Sequence, residues 1–360
     1  MTFCVSIGGQ NQYRGDAPSN EILVGTLRGF VKLKRSGPGS AWEEDGRALT
    51  DMHVSTLLIE PTRGRILAGS HGNGIHASED GGRNWKRVDS GIESPNVFAM
   101  NWVQDGDKVK VYAGTEPAYL YVSEDLGESW TELPSLRDLQ GRDKWYFPGP
   151  PHIAHVKTIT FDPRVPSTIY LGVEVGGGFK STDSGKTWKQ LEGFFEDVHR
   201  LVVTAKRPND VYMSTGDGVY HSSNGGEVWE HQSGRDARIA YPDGLVIHPE
   251  QPELLFTSGS ITDPGHWRET HDADARIGRS GDGGKTWEYL DGGLPAHIQG
   301  NIEALSLSVY PGGYQLASAT TNGEVFYSED GGSTWQTIAT GLPAVSKGGH
   351  YMALQPAGAR

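Results

Sequence analysis

One eight-residue pattern, Ser-x-Asp-x-Gly-x-x-Trp, recurs six times along the 360-residue chain. The copies run Ser78–Trp85, Ser123–Trp130, Ser181–Trp188, Ser222–Trp229, Ser280–Trp287 and Ser328–Trp335, with Asn224 replacing the acid in the fourth. Apolar or alternating residues precede each copy, as in Gly74–Ser78, and alternation resumes after the Trp, as in Trp335–Ile338. That is the pattern of strand, turn, strand. The Asp can accept hydrogen bonds from the turn's own amides. The Gly supplies a positive φ that other residues resist, the Ser hydroxyl can satisfy a further turn group, and the Trp offers a large apolar plate to the next sheet. Units of this kind bury their apolar faces only by stacking on one another.

Successive pattern tryptophans are 45, 58, 41, 58 and 48 residues apart. A four-stranded propeller blade takes about 40–50 residues, so the two longer gaps imply insertions, at about 134–154 and 260–278. A degenerate earlier unit is also present. Ile22–Thr26 matches Ile66–Ser70 and Val111–Thr115, and Trp42 precedes Trp85 by 43 residues. Seven units predict an all-β fold, a single seven-bladed β-propeller of four-stranded antiparallel blades over residues 1–360. His350–Pro356 reads as a last inner strand that closes the ring beside the N-terminal strands.

The repeated turn is similar to the Asp-box, or BNR repeat, of sialidases, sortilin-type receptors, xyloglucan hydrolases and a photosystem assembly factor. The resemblance implies the propeller and leaves function open, because those families share the box and little chemistry. Sialidases carry an arginine triad, a Phe-Arg-Ile-Pro segment and a Tyr/Glu nucleophile pair; no Phe-Arg-Ile-Pro occurs here, so a typical sialidase is not expected. Xyloglucan hydrolases resemble two such propellers with paired Asp across a cleft, of which this sequence supplies one. The photosystem assembly factor is similar in size and blade count but carries an export signal and a basic patch. The boxes themselves read as folding staples rather than calcium or ligand sites, since one active site does not need six copies.

Composition narrows the function. A net charge of −13 disfavours nucleic acid and anionic membranes as partners. No run of 18 or more apolar residues occurs. The single cysteine, Cys4, excludes an internal disulfide framework. The start lacks a basic segment followed by a long apolar core, so a cytoplasmic address is expected.

Propeller ligands gather where the inner strands converge. Aligning those strands on Val54–Pro61, Val156–Pro163 and Ile302–Leu307 puts His53, Asn96, His155, Asp197, Tyr241 and Asn301 at the channel mouth. Two residues on, facing the same way, come Ser55, Phe98, Lys157, His199, Asp243 and Glu303, joined by His350 of the closing strand. Loops between second and third strands add His71, Glu116 and Glu174. Imidazoles and carboxylates drawn from several blades suit metal binding or acid–base chemistry. The expectation is a cytoplasmic small-molecule hydrolase or lyase acting on a sugar-like or aromatic substrate. His155, His199, Asp243 and Glu303 would be catalytic, and His53, His155, His199 and His350 would hold one divalent metal (Zn, Mn, Fe or Ca), with no organic cofactor. His71, Glu174, Tyr241, Arg268, His271, Trp145 and Tyr146 would bind substrate, the last four from the two insertions or their edges. The alternative is a non-catalytic scaffold that holds a protein partner on the funnel rim.

Overall fold

The computed structural model describes residues 2–234 and 237–356. They form seven four-stranded sheets arranged as blades of a ring, one of which gains a fifth strand. Blade 2 shows the plan. His53–Ile59 lines the channel, and Ile66–His71, Gly74–Ser78 and Lys86–Arg87 follow outward, each antiparallel to the last. The inner strands of blades 3 to 7 are Asn96–Asp105, Val156–Asp162, Val198–Thr204, Tyr241–Ile247 and Ala304–Tyr310. Each lies between the flanking blades, so both of its faces are covered. Val54, Leu57 and Leu58 are buried alike, although they do not share one face.

The inner strands of blades 2 to 6 carry a β-bulge near their mouth ends. Register jumps from Val54 to Thr56, Val97 to Ala99, Val156 to Thr158, Val198 to Arg200 and Pro242 to Gly244. The residues passed over are Ser55, Phe98, Lys157, His199 and Asp243. A bulge frees one residue from the ladder and re-aims its side chain. The second ring expected from alternation is therefore built by a repeated bulge.

The six patterned turns share one hydrogen-bond set. In the first, Ser78 Oγ donates to Asp80 Oδ1 (2.9 Å) and accepts from Gly82 N (2.8 Å), while Asn84 N donates to Asp80 Oδ1 (2.9 Å). Asn224 makes the same contacts through its amide oxygen. In four turns the second Asp oxygen accepts from a Ser or Thr hydroxyl at 2.6 Å. The carboxylates are thus used up by their own turns. The turn glycines have φ between 84° and 91°, which explains their invariance within this chain.

Ring closure departs from expectation. Gly349–Leu354 forms a helix, α2, not a strand. The inner place of blade 1 is already held by Thr2–Val5, which runs parallel to Glu21–Thr26. Beyond Val5 the chain crosses the channel and pairs Gln12–Arg14 in parallel with Ala304–Tyr310 of blade 7. The crossing segment plugs the pore. Gly8 N donates to Ser55 O (3.1 Å), Met100 N donates to Gly8 O (3.2 Å), and Arg200 donates to the carbonyls of Ser6, Ile7 and Gly9. A Cβ on Gly8 would lie 1.7 Å from Phe98 O, so only glycine fits that crossing. The channel is consequently a cup open at the mouth.

Candidate functional site: a buried ionic network under the channel mouth

Bulged residues, strand ends and the second-to-third strand loops deliver most of the charged groups to the cup, and the C-terminal segment delivers one more. Lys347 is buried and donates to Glu174 Oε1, with Asp243 Oδ1 3.6 Å from its Nζ; its amide donates to Glu303 Oε2 at 3.0 Å. Burial alone would lower the Lys347 ammonium pKa, but Glu174, Asp243 and Glu303 outweigh it and raise it. Burial likewise pushes Glu174 up, and Lys157, Lys347 and His155 overcome this to hold it well below the usual carboxylate range. Glu174 is therefore an anion.

His155 stands between two carboxylates. Its Nε2 lies 2.7 Å from Glu174 Oε2 and its Nδ1 3.8 Å from Glu116 Oε2. Burial lowers its pKa despite the pull of Glu174. A neutral ring must then donate Nε2–H to the Glu174 carboxylate, which leaves the Nδ1 lone pair free; Nδ1 has no hydrogen-bond partner. Phe98 stacks on the imidazole at 3.9 Å and Phe147 meets it edge-on at 5.2 Å. His199 is different. Its Nδ1 donates to Pro242 O at 2.8 Å and its Nε2 faces Asp197 at 3.4 Å. Burial works against its charge, but Asp197 and Asp243 prevail and raise its pKa.

A cavity of about 470 Å³ opens above this network. Its walls include His53, His71, Glu116, His155, Phe147 and Arg268. His71 Nε2 lies 3.4 Å from Glu116. His53 gives Nε2 to Ser346 O at 2.9 Å, and burial with His71 nearby lowers its pKa to about 4. A smaller cavity of about 50 Å³ reaches Glu174, Asp197, Tyr241 and His350. Arg268 and Phe147 border both cavities.

No family model matches the chain. It is similar to the xyloglucanase Xgh74A of Acetivibrio thermocellus, 25% identical over 291 residues that cover 72% of this chain and 28% of that protein. It is also similar to a xyloglucanase of Hypocrea jecorina, 25% identical over 227 residues, covering 60% of this chain and 24% of the relative. The chain thus spans about a quarter of the length of these relatives. Among solved structures, an ancestral GH74 enzyme superposes with a TM-score of 0.61 at 17% identity, over 80% of this chain and 38% of that one. YCF48 from Cyanidioschyzon merolae superposes with a TM-score of 0.55 at 14% identity, over 87% of this chain and 97% of that one. At these identities the structural likenesses show the propeller fold.

The expected site residues divide. His155, Glu174, His199, Asp243, Glu303 and His350 converge, and Tyr241 joins them, with its hydroxyl 3.3 Å from Asp197 Oδ2. The four histidines expected to share a metal do not form one group. Among the described residues, ligand atoms gather within 4.8 Å in two sets, Glu174–Asp197–His199 and Asp243–Glu303–His350; His53 and His155 belong to neither, because each is engaged with its own backbone or carboxylate partner. His350 arrives on α2 rather than on a strand. The insertions also sort themselves. Residues Pro264–Thr270 form helix α1, capped by Asp263, with Trp267 wholly buried against Tyr241 and His350 and with Arg268 over the mouth. His271 takes the left-handed C-cap of α1 (φ 57°) and borders neither mouth cavity. In the aromatic triple Phe147 reaches the mouth. Trp145 instead packs on Phe179 at 5.1 Å, and Tyr146 is 51% exposed and borders neither cavity. Sequence reasoning missed Lys347. Its only signal is Ser346-Lys-Gly-Gly-His350, a polar, glycine-rich segment placed after the last outer strand.

Proposed function

We propose that this chain is a hydrolase of a small, sugar-like substrate bound in the mouth cavity, with His155 as general base. The observation that carries this reading is the Glu174–His155 pair at 2.7 Å, with Nδ1 free of hydrogen bonds and Glu116 opposite it, both residues lining the cavity. A base oriented by a buried carboxylate is a recurring device for activating water. Glu116, 3.8 Å from His155 Nδ1, is too close to that nitrogen to flank the scissile bond as a paired glycosidase acid does, and its place on the cavity wall suits it to hold a substrate hydroxyl. Phe98 and Phe147 give apolar faces for a sugar ring, and Arg268 reaches the cavity from helix α1. The xyloglucanase relatives support hydrolysis of a glycoside; nothing comparable supports a lyase. The buried, unpaired Cys4 suits a reducing compartment such as the cytoplasm.

The test is turnover of xyloglucan oligosaccharides and aryl glycosides by the purified chain. His155→Gln should lower kcat by about 10²- to 10⁴-fold, the usual worth of a positioned base, and Glu116→Gln should chiefly raise KM. Because His155 is held below its ordinary pKa, activity should persist to lower pH than an ordinary imidazole base allows and fall as the ring takes a proton. Turnover unchanged in His155→Gln, with the variant folded, would remove the base from the scheme.

A further inference from the structure

Tyr241 Oη lies 3.3 Å from Asp197 Oδ2 and 3.5 Å from His350 Nε2. With its single hydrogen given to Asp197, the phenol oxygen accepts from His350 Nε2–H, and in that tautomer Nδ1 is a bare lone pair. That nitrogen is buried and has no hydrogen-bond partner. It faces Glu303 Oε1 at 3.4 Å and Asp243 Oδ2 at 3.7 Å. Three acceptors converge on one buried point with no donor among them, and Nδ1 is left without any partner, an arrangement that is costly unless a cation fills it.

We propose that Asp243, Glu303 and His350 bind a divalent transition-metal ion, Zn²⁺ or Mn²⁺. The inference does not depend on the hydrolase reading. An ion with ligands about 2.1 Å away in tetrahedral array spaces them about 3.4 Å apart, which is the spacing found between Nδ1 and Glu303. The carboxylates are already oriented from outside. Ser346 Oγ donates to Glu303 Oε1 (2.8 Å), Lys347 N to Glu303 Oε2 (3.0 Å), and Asn301 Nδ2 to Asp243 Oδ2 (2.6 Å). Such outer partners are typical of metal ligands. Lys347 is bonded to Glu174 and meets Asp243 at 3.6 Å on the oxygen that faces away from His350, so it offsets part of the negative charge without occupying the point between the three acceptors. An imidazole nitrogen with two oxygens suits Zn²⁺ or Mn²⁺ better than Ca²⁺, which prefers oxygen alone. In the neighbouring Glu174–Asp197–His199 set, His199 Nε2 faces Asp197 Oδ2 at 3.4 Å as an ion pair, so that set carries its own cationic partner.

The full chain, stripped with a chelator, should be titrated with Zn²⁺ and with Mn²⁺ by calorimetry, and with Co²⁺ by visible absorption. One ion per chain, a raised melting temperature and a Co²⁺ d–d band are expected. His350→Ala and Glu303→Gln should weaken binding more than 10-fold. Tyr241→Phe keeps all three ligands but frees the His350 tautomer, so it should weaken binding about 10- to 100-fold. Absence of saturable one-to-one binding overturns the proposal. So does unchanged affinity in a His350→Ala variant that melts cooperatively. If that variant does not fold, unchanged affinity and an unchanged Co²⁺ spectrum in Tyr241→Phe overturn it.

Discussion

The turn face and the mouth face of this propeller use the same polar residue types to opposite ends. On the turn face each Asp spends its acceptors on amides and hydroxyls of its own turn, within four residues. The turns are exposed, and their contacts repeat from copy to copy. At the mouth partners also come from other blades and from the C-terminal segment: beside the His155–Glu174 pair within blade 4, Lys347 bonds Glu174 across 173 residues of sequence, and Asn301 bonds Asp243 across 58. No two blades contribute the same set. Local satisfaction gives a repeat that serves folding, whereas non-local satisfaction gives one asymmetric site with unpaired atoms left in it. Unpaired buried groups such as His155 Nδ1 and Asp243 Oδ1 occur in that network, and it is there that chemistry is possible.

The contrast can be broken or sharpened by substitution. The largest effect is expected from Lys347→Met, which strands the Glu174 carboxylate without its nearest cation; loss of about 3–5 kcal/mol is the usual result of breaking a buried pair from one side. Urea unfolding should show it, and lowering the pH should narrow the deficit as Glu174 protonates. Arg200→Met comes next. It orphans the plug carbonyls of Ser6, Ile7 and Gly9, and at about 1–3 kcal/mol for an unsatisfied buried group the loss should reach about 3 kcal/mol, read by the same unfolding curves. A single turn change, Asp282→Ala, should cost about 1 kcal/mol, as loss of a comparable capping side chain does. Asn224→Asp, which restores the pattern, should stay within about 0.5 kcal/mol.

Acid should separate the faces as well. His53 and His155 are buried with pKa values below the unfolded value, His53 at about 4. Between that value and about 6.5 the unfolded chain binds more protons at His53, so its contribution is present above 6.5 and is lost as pH falls toward 4, and the His155 contribution is lost in the same direction. The turn carboxylates Asp80, Asp183 and Asp282 sit at about 2. Their contribution is complete above the ordinary Asp value and is lost only as pH falls toward 2. Hydrogen exchange at pH 5 should therefore weaken protection at the mouth ends of the inner strands while the turn amides keep theirs. Equal loss on both faces would dissolve the distinction.

Legibility followed the same division. The six turns announce themselves because every partner lies within the eight-residue motif, and seven units and two insertions follow by counting. The mouth rings emerged from aligning inner strands, although the bulge at Ser55, Phe98, Lys157, His199 and Asp243 leaves no local mark. What stayed hidden was set by distant partners. The pore plug depends on Gly8 meeting Phe98, and the C-terminal helix forms because Thr2–Val5 already fills blade 1. Lys347 carries no motif at all. His350 was found by a strand argument and reaches the site from a helix.

The central claim is that function resides on the mouth face and folding support on the turn face. It is tested most directly by measuring glycoside turnover and melting temperature side by side for His155→Gln and Asp183→Ala. The account predicts that His155→Gln loses at least 100-fold in kcat with its melting temperature nearly kept, and that Asp183→Ala melts a few degrees lower with kcat intact. Turnover that survives His155→Gln, or that falls with Asp183→Ala in a folded protein, would contradict it.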